Sequence, residues 1–179
     1  DWGVAEDEFS QVIVRTPFVF GGNHVVPDSS ALILAPKLYR GVLLEYTESM
    51  NGEWNLNQFE GRDPGHPTHE VVHYERGDDF PSIVFSGGIG AEYRSVSHGI
   101  GSLNDGRVLH LSSSENEEGI RQLQIEIFDQ KRRLTKVSRL EEAPGETTVS
   151  LLWVDQMDRL YLVDRREGFP IIRIMKLNE

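Results

Sequence analysis

Ile120-Arg121-Gln122-Leu123-Gln124-Ile125-Glu126-Ile127-Phe128 decides how the rest of the chain is read. Leu123, Ile125 and Ile127 fall on one side of an extended backbone, and Gln122, Gln124 and Glu126 on the other. Period two with β-branched residues predicts a half-buried antiparallel strand with its polar side towards water. The same alternation returns at 31–34, 41–46, 159–163 and 170–177. Pro27-Asp28, Asn51-Gly52, Asn104-Asp105-Gly106 and Pro144-Gly145 separate the runs as turns. No stretch carries a helical stripe, and even 121–131 fits alternation better than a 3.6-residue period. The fold class is all-β and antiparallel.

The strands follow a recurring order: an apolar run, an acidic turn, a strand, a gap and a longer strand. The first pass is 24–28, 31–35 and 41–46; the second is 101–106, 107–111 and 120–129; the third is 151–155, 158–163 and 169–177. Two passes continue into a fourth strand, at 54–59 and 133–140. Leu32, Leu109 and Leu160 as anchors give intervals of about 77 and about 51 residues. The shorter interval suits one four-stranded sheet, and the longer one is a generous unit or two short ones. Four-stranded sheets repeating at about 40–50 residues predict propeller blades. In the acidic turns, Asp and Asn side chains bond the following amides and set a tight reversal.

The run Leu152-Trp153-Val154-Asp155, then Asp158-Arg159-Leu160-Tyr161-Leu162-Val163-Asp164, then Phe169-Pro170 and Ile172-Arg173-Ile174, resembles the closing blade of the bacterial six-bladed NHL-like β-propellers. Gly101-Ser102-Leu103-Asn104-Asp105-Gly106-Arg107-Val108 resembles the same pattern. The resemblance spans roughly residues 21–179 and implies blades at 21–60, 101–140 and 149–179, with 61–100 fitting poorly. It implies a binding or scaffold surface on a secreted, periplasmic or lipid-anchored protein. Six blades need about 250–300 residues, so this antiparallel β-propeller fragment supplies three or four. The chain starts at Asp1 without Met. It is therefore expected to be the C-terminal part of a longer chain holding the missing blades, or to complete a ring by self-association.

Composition narrows the chemistry. The chain has 179 residues, 29 acids against 18 bases, a net charge of -11 and no cysteine. A deficit of cations argues against nucleic acid as partner, because a phosphate backbone needs clustered Lys and Arg. Without cysteine there is no disulfide, thiolate zinc site or thiol nucleophile. No apolar run approaches the roughly 20 residues of a transmembrane segment.

The sharpest chemical motif is His69-Glu70-Val71-Val72-His73, formally H-E-x-x-H. On a helix, that spacing places two imidazoles one turn apart around zinc, with Glu as general base. Here Pro67 precedes it, two valines sit inside it, and Gly77-Asp78-Asp79 follows, so a strand is the better reading. A wider polar group of His66, His69, Glu70, His73, Asp78 and Asp79 reads as a connection between blades. His24 and His98 precede or start innermost strands in the blade alignment, where channel-mouth pockets form. Glu92 and Arg94 could reach the same rim, so His24, Glu92, Arg94 and His98 are the candidate ligand-binding residues. Propeller lactonases place carboxylate and Asn ligands on such an axis. The candidates here, Glu92, Asn104 and Asp105, do not make a full set, because Asn104-Asp105-Gly106 is a turn.

No G-x-S-x-G elbow is present. Gly87-Gly88-Ile89-Gly90 and Gly99-Ile100-Gly101 precede no helix and read as turns or tight inner-strand packing. Lys131-Arg132-Arg133 reads as a solvated hairpin turn. Trp153, Tyr161 and Phe169 are expected in the core between blades. The expected function is non-enzymatic binding of a protein or small molecule at the channel-mouth loops, with no cofactor. The alternatives are a metal-dependent propeller hydrolase or lactonase, then an H-E-x-x-H metalloprotease, and last a small β-sandwich or barrel with a carbohydrate-binding or structural role.

Overall fold

A computed structural model describes residues 20–25, 31–36, 39, 41–65, 69–73, 83–85, 89–116, 118–140, 148–166 and 169–177. Every regular element among them is a strand. The first sheet pairs β1 (Phe20–Val25), β2 (Ala31–Pro36), β3 (Val42–Glu48) and β4 (Trp54–Glu60) in sequence order. A separate three-stranded sheet holds β5 (His69–His73), β6 (Ile83–Phe85) and β7 (Ile89–Tyr93), with β7 in the middle. The middle sheet runs β8 (Ser95–Ser102), β9 (Val108–Glu115), β10 (Arg121–Phe128) and β11 (Leu134–Leu140). The C-terminal sheet is β12 (Thr148–Val154), β13 (Arg159–Arg166) and β14 (Phe169–Lys176). All described pairings are antiparallel.

Period-two patterning decides which sheet meets which. Ala31, Ile33 and Ala35 of β2 join Leu43, Phe59, Ile100, Val108 and Phe128 in one core between the first and middle sheets. Leu109, Leu111, Leu123, Ile125 and Ile127 point the other way and meet Val149, Leu160 and Leu162 of the C-terminal sheet. The middle sheet is therefore covered on both faces, and all but the last residue of β9 is buried. The β5–β7 sheet lies between the first and middle sheets in sequence but not in space, since those two share a core directly.

The polar face of β10 departs from expectation. Gln124 and Glu126 are 2% and 0% exposed, so the side read as solvent-facing lies under the first sheet. The aromatic residues of the last sheet depart in the opposite sense. Trp153 is 59% exposed and Phe169 76% exposed, while Tyr161 stacks on Trp153 at 5.0 Å on the open face. They lie on the outside because the stack of described sheets ends there.

The edge strand β8 runs beside β1 on one side and β12 on the other. Its glycines permit this approach. A Cβ on Gly99 would lie 2.7 Å from Leu151 Cβ and 2.9 Å from its carbonyl oxygen, and one on Gly101 would lie 2.8 Å from Val154 Cγ2. Close packing against β12 accounts for this glycine pair, one of the two readings the sequence left open.

Among the described residues, five hairpins share one loop. In residues 49–53, 103–107, 116–120, 129–133 and 155–159 the first residue's N–H donates to the fifth carbonyl, and the fourth N–H donates back to the first. The fourth residue has positive φ, as in a type I turn closed by a bulge. Gly52, Gly106 and Gly119 occupy that position in three loops, while Arg132 (φ 61°) and Asp158 (φ 56°) occupy it in the other two. Both exceptions reach a neighbouring sheet. The Arg132 guanidinium bonds Glu45 of β3 at 2.7 Å, and Asp158 Oδ1 accepts the Asn104 amide at 2.6 Å. Arg132 is thus a partly buried tie between sheets, not the solvated charge expected of 131–133. First-position aspartates reinforce two of these loops. Asp155 Oδ1 accepts the amides of Met157 and Arg159, and Asp129 Oδ1 those of Lys131 and Arg133. Burial pushes the Asp155 carboxyl up, but those amides and the Arg159 guanidinium outweigh it and hold the group at about 2.

Two glycine substitutions separate packing from backbone cost. Gly99→Ala forces a Cβ into β12 at a φ of +142° and is expected to cost about 2–4 kcal/mol in urea unfolding. Gly52→Ala meets no atom within 4 Å and is expected to cost only about 1 kcal/mol, the left-handed backbone term. Equal losses would contradict the close β8–β12 packing.

Candidate functional site

The densest polar constellation sits in the covered face of the middle sheet. His110 on β9 stands opposite Glu126 on β10, and Ser112 stands opposite Gln124. Ser97 on β8 comes to the same face because a bulge between Ser97 and Gly99 resets the register. Ser97 Oγ lies 2.8 Å from His110 Nε2, and His110 Nδ1 lies 2.7 Å from Glu126 Oε2. In the tautomer whose Nδ1–H donates to the carboxyl, Nε2 accepts the serine hydroxyl proton.

The first sheet supplies the remaining donors from two connections. Tyr39, between β2 and β3, donates its hydroxyl to Glu126 Oε1 at 3.0 Å, with its ring edge-on to His110 at 4.4 Å. Arg62, just after β4, donates its backbone amide to the same oxygen at 2.6 Å and its guanidinium to Gln124 Oε1 at 2.9 Å. Gln124 Nε2 in turn donates to Ser112 Oγ. Ser95 Oγ donates to the Tyr39 carbonyl, and the Tyr39 amide donates to the Ser95 carbonyl. Gly61 makes room, because a Cβ there would collide with the Tyr39 hydroxyl and lie 2.9 Å from Glu126 Oε1. Burial pushes the Tyr39 hydroxyl well above the usual tyrosine range, and the charge and hydrogen bond of Glu126 push the same way.

Ser97, His110 and Glu126 have the atom order of a nucleophile, base and acid. All three are 0% exposed, however, with Tyr39 packed over the imidazole. A nucleophile needs space for an acyl group and donors for the developing oxyanion. Here each polar atom faces another side chain or the backbone. The arrangement satisfies a buried carboxyl and joins two sheets; in this closed form it has no room for a substrate.

Of the residues singled out in the sequence, His24, Glu92 and His98 fall on three different sheets. His24 lies within β1 opposite Ile33, and His98 lies within β8, so neither stands at a strand start. His98 Nε2 bonds Ser113 Oγ at 2.7 Å on the face towards the C-terminal sheet. Arg94 precedes β8, where its carbonyl accepts the Glu115 amide and its guanidinium lies 4.0 Å from the Glu115 carboxyl. Glu92 is paired with Glu70 across β7 and β5. His69–His73 is strand β5, so the helical spacing of a zincin is absent, and four residues along a strand span about 13 Å. The side chains of His24, His69, Glu70, His73 and Glu92 lie outside the described part of the structure, as do residues His66, Asp78 and Asp79. Asn104 and Asp105 form the β8–β9 turn, with Asp105 bonded to Arg107. The clue to the buried constellation was the polar content of three neighbouring strands: Ser95 and Ser97, His110 with Ser112, Ser113 and Ser114, and Gln124 with Glu126.

No protein-family model matches the chain, and no curated protein matches it.

Tyr39→Phe removes one donor from a buried carboxyl and is expected to cost about 1.5–3 kcal/mol. The pH profile gives a second check. Tyr39 is held protonated in the fold, while the unfolded chain ionises near its ordinary value of about 10. Its stabilisation is therefore complete below that value and is lost as pH rises towards the raised folded value. Thermal unfolding of the wild type should weaken faster above pH about 10 than that of Tyr39→Phe. Parallel profiles would contradict the buried bond.

Proposed function

We propose that this chain is part of a β-propeller that binds a protein or small molecule without chemical turnover, at the loops where β8 begins. The single observation behind this reading is the stacking of consecutive antiparallel sheets, with β1, β8 and β12 side by side along one edge. In a propeller, first strands line the axis, and loops at its mouth carry the ligand. The six-bladed NHL-like assignment and the extracytoplasmic setting rest on the sequence resemblance, as does the idea that further blades come from the same polypeptide or from self-association. Among the described residues no helix is long and apolar enough to cross a membrane.

The non-catalytic part of the proposal draws on the sealed Ser97–His110–Glu126 group, whose atoms are all engaged between sheets. Arg94 and His98 are the described candidates at the mouth. Both are partly exposed and each already holds a neighbour on β9, so a ligand would have to share those bonds. The net charge of -11 disfavours a polyanionic ligand.

A thermal-shift screen of small metabolites and short peptides tests the proposal. A genuine ligand should raise the midpoint of the wild type, lose that effect in Arg94→Ala, and be recovered intact by mass spectrometry. Recovery of the ligand as a product would overturn the non-catalytic reading. A ligand whose shift is unchanged in both Arg94→Ala and His98→Ala would move the site elsewhere.

A further inference from the structure

Two turns at one end of the middle sheet flank an open groove of about 380 Å³. They are the β8–β9 loop, 103–107, and the β10–β11 loop, 129–133. The loops lie side by side because Val108 and Phe128 are register partners on β9 and β10. Asp105, Arg107, Asp129, Gln130, Lys131 and Arg133 line the groove. Gln130 Nε2 donates to the Asp105 carbonyl at 2.7 Å and bridges the two loops. Of the basic run 131–133, Arg132 turns away to Glu45, which leaves Lys131 and Arg133 beside Arg107.

Both carboxylates are committed to the loops themselves. Asp129 Oδ1 accepts the amides of Lys131 and Arg133, and its Oδ2 accepts the Arg133 guanidinium through Nε and Nη2. Asp105 Oδ1 accepts the Arg107 amide, and its Oδ2 accepts the Arg107 Nε–H at 2.6 Å. Nη1 of each arginine takes no part in these bonds. Among the described residues no carboxylate pairs with Lys131.

We propose that this groove binds a small organic monocarboxylate, held by the Lys131 ammonium and the remaining guanidinium donors of Arg107 and Arg133. Three cations against two aspartates leave a surplus of one positive charge, on a chain whose net charge is -11. That surplus matches a single carboxylate, while the field of the whole chain opposes multiply charged anions. Guanidinium N–H groups suit the two oxygens of a carboxylate, and Lys131 adds a point charge. The stems of the three cationic side chains give the groove apolar wall beside its charged heads, which suits a hydrocarbon body. A volume of about 380 Å³ is at the small end of ligand sites and holds a body of about one ring. The Gln130 bridge and the aspartate bonds fix both loops in advance, which lowers the ordering cost of binding. The groove lies at the opposite end of β8 from Arg94, so this proposal does not depend on the propeller reading.

Benzoate is the probe, with benzamide as its neutral counterpart and inorganic phosphate as a more highly charged anion. Titration of the whole protein at low salt, followed by amide NMR shifts, should give a dissociation constant of about 1 mM, as suits charges open to water. The largest shifts should fall in 104–107 and 129–133, and about 0.3 M salt should weaken binding several-fold. Lys131→Gln should weaken benzoate about fivefold and Lys131→Glu about tenfold or more. Lys131 is exposed, so unfolding midpoints equal to the wild type should confirm that both variants fold. Arg139→Gln removes the same charge from the far end of β11 and should change the affinity less than about twofold. Absence of saturable shifts in the two loops overturns the proposal. So does benzamide binding as tightly as benzoate, which would leave the carboxylate no role, and so does phosphate binding as tightly, which would make the groove an indiscriminate anion patch. Benzoate affinity that falls no further in Lys131→Glu than in Arg139→Gln overturns it as well.

Discussion

The Glu126 carboxyl is the constraint around which the described structure is organised. It lies at 0% exposure between two sheets, where a carboxyl without donors would cost several kcal/mol (about 3–5 when a buried partner is lost). Its donors come from three places in the chain: Tyr39 and Arg62 in connections of the first sheet, and His110 on the adjoining strand. The stacking of the first sheet on the middle one is therefore fixed by direction as well as by apolar contact. Phe59 against Phe128 at 5.1 Å supplies the apolar part of the same contact. Apolar side chains alone tolerate small slides, whereas a carboxyl with paired donors does not.

On the opposite face the middle sheet uses a different solution. Leu109, Leu111, Leu123, Ile125 and Ile127 meet Leu160 and Leu162, and Asp164, on the same side of β13, is buried and paired with Arg173 at 2.9 Å. Position is also set there by glycine and by loop chemistry. Gly99 and Gly101 let β12 come close, and the Asp158 carboxylate holds the Asn104 amide at the turn end. The two loops that place a non-glycine residue at positive φ are the two whose side chain at that position ties one sheet to the next. A small backbone cost is offset there by a specific contact, which explains why the glycine preference gives way at those positions.

Much of the architecture was legible because period two is a strong signal. The alternation of Leu123, Ile125 and Ile127 located β10, and Ala31, Ile33 and Ala35 located β2 with its buried face. The strand reading of His69–His73 followed from Pro67 and the paired valines. What could not be read was the fate of the second face. Alternation says that Gln124 and Glu126 share a side, and nothing in a single strand says whether water or another sheet covers that side. The same limit applies to Trp153 and Phe169, whose size suggests burial while the stack of described sheets leaves them outside. The candidate residues His24 and His98 were chosen from alignment of the passes. That alignment placed the strand starts too late, since β8 begins at Ser95, ahead of His98. The Ser97–His110–Glu126 group escaped the sequence because its members are joined only by strand pairing and a bulge, neither of which leaves a local motif.

Arg62 lies outside any strand, yet its amide donates to a carboxyl with no access to water. Native-state hydrogen exchange of that one amide is the most direct measurement. If the Glu126 bond locks the two sheets, the Arg62 amide should exchange only through global unfolding, with the same free energy as core amides of β9 and β10. Fast exchange at the rate of an open loop, with β9 and β10 still protected, would show that the sheets separate independently and would contradict the account.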